Sequence, residues 1–84
     1  MKVTVKLFAT LAGHLPPAAR RAGQVAVEQA PGSSVADLIA QLGLPPALCT
    51  LVLVDGRFVA PTDHAGRMLR EGETVAIWPP IGGG

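Results

Sequence analysis

Alternation opens the chain. In KVTVKLF, residues 2–8, Val3, Val5 and Leu7 fall on one side of an extended segment and Lys2, Thr4 and Lys6 on the other. This period of two is that of a strand with one buried face. Phe8 breaks the pattern as an apolar residue on the polar side. Phe8, Leu11 and Leu15 are then spaced for a short helix that Pro16-Pro17 would end. AARRAG, residues 18–23, reads as a solvated loop, and QVAVEQ, residues 24–29, alternates again with Val25 and Val27 inward.

The period changes after Pro31-Gly32, a turn signal. Val35, Leu38, Ile39 and Leu42 stand at i, i+3, i+4 and i+7, the apolar stripe of one helix. Ser33 or Ser34 serves as its N-cap, and Asp37 completes a near capping box after Ser34 while favouring the helix dipole. Gly43 is placed to end it in a left-handed conformation, and Pro45-Pro46 prevents resumption. Leu51-Val52-Leu53-Val54 is a continuous apolar run, which predicts a strand buried on both faces. Asp55-Gly56 is a hairpin turn that returns Arg57-Phe58-Val59 antiparallel. Residues 60–70 read as loop. Glu71-Gly72 turns into a last strand, 73–78, with Val75 and Ile77 inward, and Pro79-Pro80 ends its pairing. One helix must cover one face of a small mixed sheet of about five strands, an α+β arrangement over residues 1–78, with 79–84 a flexible tail.

Composition narrows what such a domain does. With 84 residues it sits near the lower size limit for a self-sufficient core, but 49% are hydrophobic and only 15% charged, enough for a tight one. A net charge of +1 and the short Arg20-Arg21 pair predict no nucleic-acid footprint. No apolar stretch approaches the length that spans a bilayer, and the run after Lys6 is too short for a signal peptide, so no membrane partner is expected. The single cysteine, Cys49, rules out an internal disulfide and fits a cytoplasmic location. Among Leu48, Leu51 and Val52 it reads as a buried, inert thiol. His14 and His64 fall in separate loops without a second ligand at binding spacing, so they read as solvated and no metal site is expected. No Walker or dinucleotide fingerprint is present. The body of the chain carries no catalytic apparatus.

The tail differs. IWPPIGGG ends on three glycines, a tripeptide costly to order and without side chains to pack. A terminal glycine presents a carboxylate with no Cβ beside it, slim enough for a narrow channel in another protein. Extended, residues 79–84 reach roughly 20 Å. A carboxylate can attack the α-phosphate of ATP and become an acyl-adenylate when a partner supplies the electrostatic stabilisation. Taken alone, the glycines also fit a frayed terminus or an expression remnant.

VKLFATLAG, GSSVADLIAQLG, LVLVDGRFV and LREGETVAIWPPIGGG span nearly all of the chain. In that order they resemble the MoaD/ThiS-type ubiquitin-like sulfur-carrier family, which includes the small subunit of molybdopterin synthase and the thiamine-biosynthesis sulfur carrier. The most specific piece is an aromatic, two prolines, an aliphatic, a small residue and Gly-Gly. It places Gly82 at the small position and Gly83-Gly84 at the terminal pair. The resemblance implies the β-grasp fold, with first and last strands adjacent and parallel in the sheet centre. It implies that a partner resembling the ubiquitin-activating enzymes adenylates Gly84 with ATP and magnesium, and that a sulfurtransferase converts the product to a thiocarboxylate. The charged tail then serves the large subunit of molybdopterin synthase or another sulfur-accepting synthase. Pro79, Pro80, Ile81, Gly82 and Gly83 would lie in the partner's channel. No cofactor is implied for the chain itself.

Phe8, Phe58 and Trp78 stand where alternation expects exposure, on the sheet face away from the helix, and are the candidate anchors for a partner. Segments 9–23 or 60–70 could instead cover them. Arg67 and Arg70 are candidate rim charges toward an acidic partner. Two other roles share the sequence features: a modifier joined to lysines through Gly84, and a β-grasp binding module whose tail does no chemistry.

Overall fold

Val3, Val5 and Leu7 are buried and their neighbours are not, because the strand they form has the core on one side only. The computed structural model describes residues 1–80. It contains β1 (Lys2–Leu7), β2 (Gln24–Glu28), α1 (Val35–Gln41), β3 (Leu51–Val54), β4 (Arg57–Val59) and β5 (Thr74–Trp78), the order that the periodicity predicts. The five strands make one sheet in the order β2-β1-β5-β3-β4. β1 and β5 run parallel at its centre, Val5 opposite Val75 and Leu7 opposite Ile77, and the other neighbours are antiparallel. This is the β-grasp arrangement, with α1 across one face.

Local chemistry sets the element ends. Ser34 Oγ accepts from the Asp37 N–H at 3.1 Å, and Asp37 Oδ2 accepts from the Ser34 N–H at 2.9 Å, a full capping box. Two more first-turn donors of α1 are satisfied by the 60–70 segment: Val35 N–H donates to the Arg67 carbonyl and Ala36 N–H to that of His64, both at 3.0 Å. Gly43 takes φ +70° just past the helix, and Asp55-Gly56, at φ +49° and +82°, forms the hairpin turn. Asp55 also accepts from the Thr74 N–H at 2.8 Å, tying the turn to β5.

The core lies between α1 and the sheet: Val35, Leu38 and Ile39 from the helix meet Val3, Val5, Val52, Val54, Val75 and Ile77. Leu11 and Leu15 join it from the 9–23 segment, which makes 3-10 turns at Ala9–His14 and Pro17–Ala19. Cys49 is buried, as its neighbours predict, and burial pushes its thiol pKa up.

Four expectations need correction. β3 is buried on one face only: Val52 and Val54 are sealed, but Leu51 is 41% exposed and Leu53 half-buried, because among the described residues no element covers the sheet opposite α1. Segments 18–23 and 60–70 are not simply loop. They hold 3-10 turns at Pro17–Ala19 and Pro61–Asp63, and Pro46–Leu48 forms a third after Pro45, each with proline in its first turn, where its missing N–H costs nothing. His64 is buried rather than solvated, its Nε2 3.2 Å from the Val59 carbonyl; His14 is exposed as expected. Arg67 faces inward.

That arginine pairs with Glu73. Its Nη2 lies 2.7 Å from Glu73 Oε2, and it also donates to the Met68 carbonyl, while Glu73 Oε1 accepts from the Arg70 N–H at 2.7 Å. The Arg67 hydrogen bond holds the nearly buried Glu73 carboxyl below its ordinary range. A depressed folded-state pKa means that the unfolded chain binds the proton more readily, so the pair stabilises fully above the ordinary carboxylate value and ceases to do so as pH falls through the folded value. Glu73→Gln is expected to cost about 2 kcal/mol near pH 7, after discounting for the third of Arg67 that solvent reaches. Parent and variant denaturation curves should converge once the pH has fallen below the folded-state value of this carboxyl, which lies under its ordinary range. A constant gap down to that pH would show that the carboxylate charge is not the cause.

Candidate partner-docking face and the root of the tail

Residues paired across strands share a face, so the register locates the side of the sheet away from α1. One row runs Phe58, Leu53, Ala76, Lys6 and Gln24 across β4, β3, β5, β1 and β2. The next row brings Leu51 opposite Trp78, with Phe8 beyond it on the β1 side. The Phe8 N–H donates to the Ile77 carbonyl at 3.2 Å, extending the parallel ladder by one step past Leu7. That step sets Phe8 beside Trp78. Their rings stack at 4.1 Å between centroids and 5° between planes. Ala9 then turns the chain away at φ +53°, a left-handed conformation that costs an L-residue about 1 kcal/mol or more.

Neither candidate cover reaches this face. Leu11 and Leu15 draw 9–23 into the core on the α1 side. The 60–70 segment is held on that side too, by its bonds to the first turn of α1 and by pairing of Met68 with Ser34. Phe58 is left 58% exposed, and Phe8 and Trp78 shelter chiefly each other.

Three of the sequence-selected residues therefore lie on one surface, and two that were not selected, Leu51 and Leu53, connect them. They were missed because a four-residue apolar run reads as buried on both sides. The available signal was the Asp55-Gly56 turn, which sets Leu53 opposite Phe58. The strip Phe58–Leu53–Ala76–Leu51–Trp78–Phe8 has Lys6 as its one charged neighbour in these rows. A contiguous apolar strip with a single cation at its side suits a partner surface that is apolar with an acidic edge. The strip ends at Trp78, followed by half-buried Pro79 and exposed Pro80. Ile81, Gly82, Gly83 and Gly84 lie outside the described residues. Among the described residues there is no group of three side chains suited to hold a metal ion, and no helix long and apolar enough to cross a membrane.

The ThiS family matches residues 5–84, from the middle of β1 through the glycines. The chain belongs to the ThiS family. This ThiS-family chain is similar to SAMP1 from Haloferax volcanii, at 28% identity over the whole of both chains and a TM-score of 0.68. It is similar to a candidate molybdopterin converting factor, subunit 1, from Pyrococcus furiosus, at 25% identity over 95% of this chain and 98% of that one, with a TM-score of 0.66. The thiamine biosynthesis protein ThiS from Geobacter metallireducens shares the fold over the whole of both chains, at 19% identity and a TM-score of 0.66. No curated protein sequence matches. Family membership and these similarities support a sulfur-carrier or ubiquitin-like small-modifier role for this ThiS-family protein.

Proposed function

We propose that the chain is a sulfur carrier in which the Gly84 carboxylate is adenylated and converted to a thiocarboxylate, and that it serves the synthesis of molybdopterin. The observation that carries this reading is the continuity of the apolar strip with the root of the tail. A partner seated on Phe58, Leu53, Leu51, Trp78 and Phe8 receives the chain at Pro79-Pro80, already directed. The tail's carboxylate attacks the α-phosphate of ATP, and pyrophosphate leaves. A sulfurtransferase persulfide then displaces AMP, and a thiol cleaves the resulting acyl disulfide to leave the thiocarboxylate. ATP and magnesium belong to the activating partner, an adenylyltransferase, where the metal neutralises phosphate charge. The carrier contributes the docking face and a slim nucleophile, with Gly82, Gly83 and Ile81 in the channel. The synthase that accepts the sulfur is the molybdopterin synthase large subunit on this reading, supported by similarity to the Pyrococcus protein.

The test is intact mass with fragment mapping after incubation with ATP, magnesium, the activating enzyme and a sulfur source. Exchange of one oxygen for sulfur is expected on the fragment that contains Gly84. Mapping is needed because oxidation of Met1, Met68 or Trp78 adds nearly the same mass. Neither adenylate nor sulfur at that fragment, with several activating enzymes tried, would leave the passive binding module.

Similarity to SAMP1, a small archaeal modifier protein, favours a second reading in which Gly84 is joined to lysines of other proteins. Both readings begin with the adenylate. Loss of free chain into lysine-linked adducts in the same incubation, with target proteins added, separates them.

A further inference from the structure

On the α1 side of the sheet, remote from the strip, a pocket of about 240 Å³ lies between α1 and the 3-10 turns that begin at Pro46 and Pro61. Its depth is read from burial. Ile39, 3% exposed, and His64, 8% exposed, form the floor; Ala40, Pro46, Pro61 and Ala65 are exposed and form the rim. The cavity exists because Ala36 and Ala40 present only methyl groups from α1, while both prolines fix the opposite walls. A preformed wall of this kind spares a ligand the entropy of ordering it.

The floor carries the chemistry. His64 Nε2 faces the Val59 carbonyl at 3.2 Å, and a carbonyl only accepts, so Nε2 bears the proton in the neutral ring. Nδ1 is then an acceptor, and it has no hydrogen-bond partner among the described residues. It is not sealed off either, because Gln29 Oε1 is the one fully buried side-chain polar atom there without a partner. An apolar pocket with one acceptor at its floor selects a ligand with an apolar body and a donor at its tip.

Size selects further. Sites for free small molecules occupy roughly 300–1,000 Å³. This one falls below that range and suits a single side chain. A tyrosine fits on both counts: its hydroxyl lies at the end of the ring, so end-on entry past the small rim brings the donor to the floor. We propose that this pocket receives a tyrosine side chain of a protein partner, with the phenol hydroxyl donating to His64 Nδ1. This second docking point lies across the sheet from the apolar strip, so one partner can hold the α1 side while another receives the tail. It does not depend on sulfur chemistry.

The test titrates the 15N-labelled full-length chain with N-acetyl-tyrosinamide and, separately, with N-acetyl-phenylalaninamide, following backbone amides and the His64 ring nitrogens. Saturable shifts are expected at Ala36, Ala40 and Ala65, with the tyrosine compound bound about tenfold more tightly, the worth of one ordinary hydrogen bond. Only the tyrosine compound should move the Nδ1 resonance. Ala40→Leu, which fills the rim, should abolish these shifts while core amides such as Val5 and Val75 keep their positions. Equal binding of the two compounds, an unmoved Nδ1, or shifts confined to Phe8, Leu53 and Trp78 would each overturn the proposal. The comparison of the two compounds stands on the unaltered protein, so it decides the matter even if Ala40→Leu misfolds.

Discussion

Removal of Gly84 alone is expected to reduce sulfur loading of the chain to background while leaving its melting temperature unchanged. The carrier reading requires a terminal carboxylate in register with a partner's ATP site, and shortening by one residue withdraws it by roughly 3.5 Å. A displacement of about 1 Å from reacting geometry can cost a hundredfold in rate, so this larger one should leave no measurable adenylate. The fold should be indifferent, because the core closes at Ile77. The measurement is ATP–pyrophosphate exchange by the activating enzyme with parent and shortened chains, beside thermal unfolding of both. Exchange at the parent rate would mean that the reacting carboxylate is not where the proposal puts it, and a modifier would fail with the carrier. A passive binding module would keep its partner affinity through the same deletion.

Leu53→Lys carries the second large effect. Leu53 sits mid-strip between Phe58 and Ala76 and is half-buried in the free chain; a partner seated on the proposed strip would desolvate it fully. Anchors at such central positions are worth about 2–4 kcal/mol of binding, or thirty- to a thousandfold in Kd. Here the substitution also places a second cation in the row of Lys6, across Ala76 from it, within an apolar contact. Stability should change by no more than about 1 kcal/mol, since the side chain points away from the core. Met68→Lys is the control: Met68 is also an exposed large apolar residue, but it pairs with Ser34 on the α1 side. Calorimetric titration with the activating enzyme should show a large loss for the first substitution and little for the second. Equal affinities for parent and Leu53→Lys would remove the strip from the docking role.

What the sequence disclosed, and what it withheld, follows from the range of the forces involved. Strand faces are local: Val3, Val5 and Leu7 declare themselves through their neighbours, as do the Ser34–Asp37 box and the Asp55-Gly56 turn. The central β1–β5 pairing is not local, and it was legible only through the family resemblance. The reading failed where a residue's surroundings come from far along the chain. His64 looks like a loop residue until the 60–70 segment is seen capping α1. Arg67 looks like a free cation until Glu73 comes alongside. Leu51 and Leu53 illustrate the opposite error, since hydrophobicity alone says that a residue avoids water but not whether its own chain or another will cover it. Of the candidate site, the aromatic anchors were legible and the leucines joining them were not.

The central position of β5 has a consequence for how the protein announces that it is ready. In the order β2-β1-β5-β3-β4, taking away β5 leaves two separate hairpins, β1-β2 and β3-β4, with nothing between them. Pairs of strands on their own are marginal in water. The segment that roots the tail is therefore the same segment that zips the two halves together, and Phe8 meets Trp78 only once it has done so. Contacts between residues as distant in the chain as Val5 and Val75 form slowly relative to local ones. Until they form, the glycines are attached to a chain that has no recognition surface. On the proposed function, a partner that reads the strip before engaging the tail would thereby check the chain's folding, and incomplete molecules would go unactivated without any separate device to reject them.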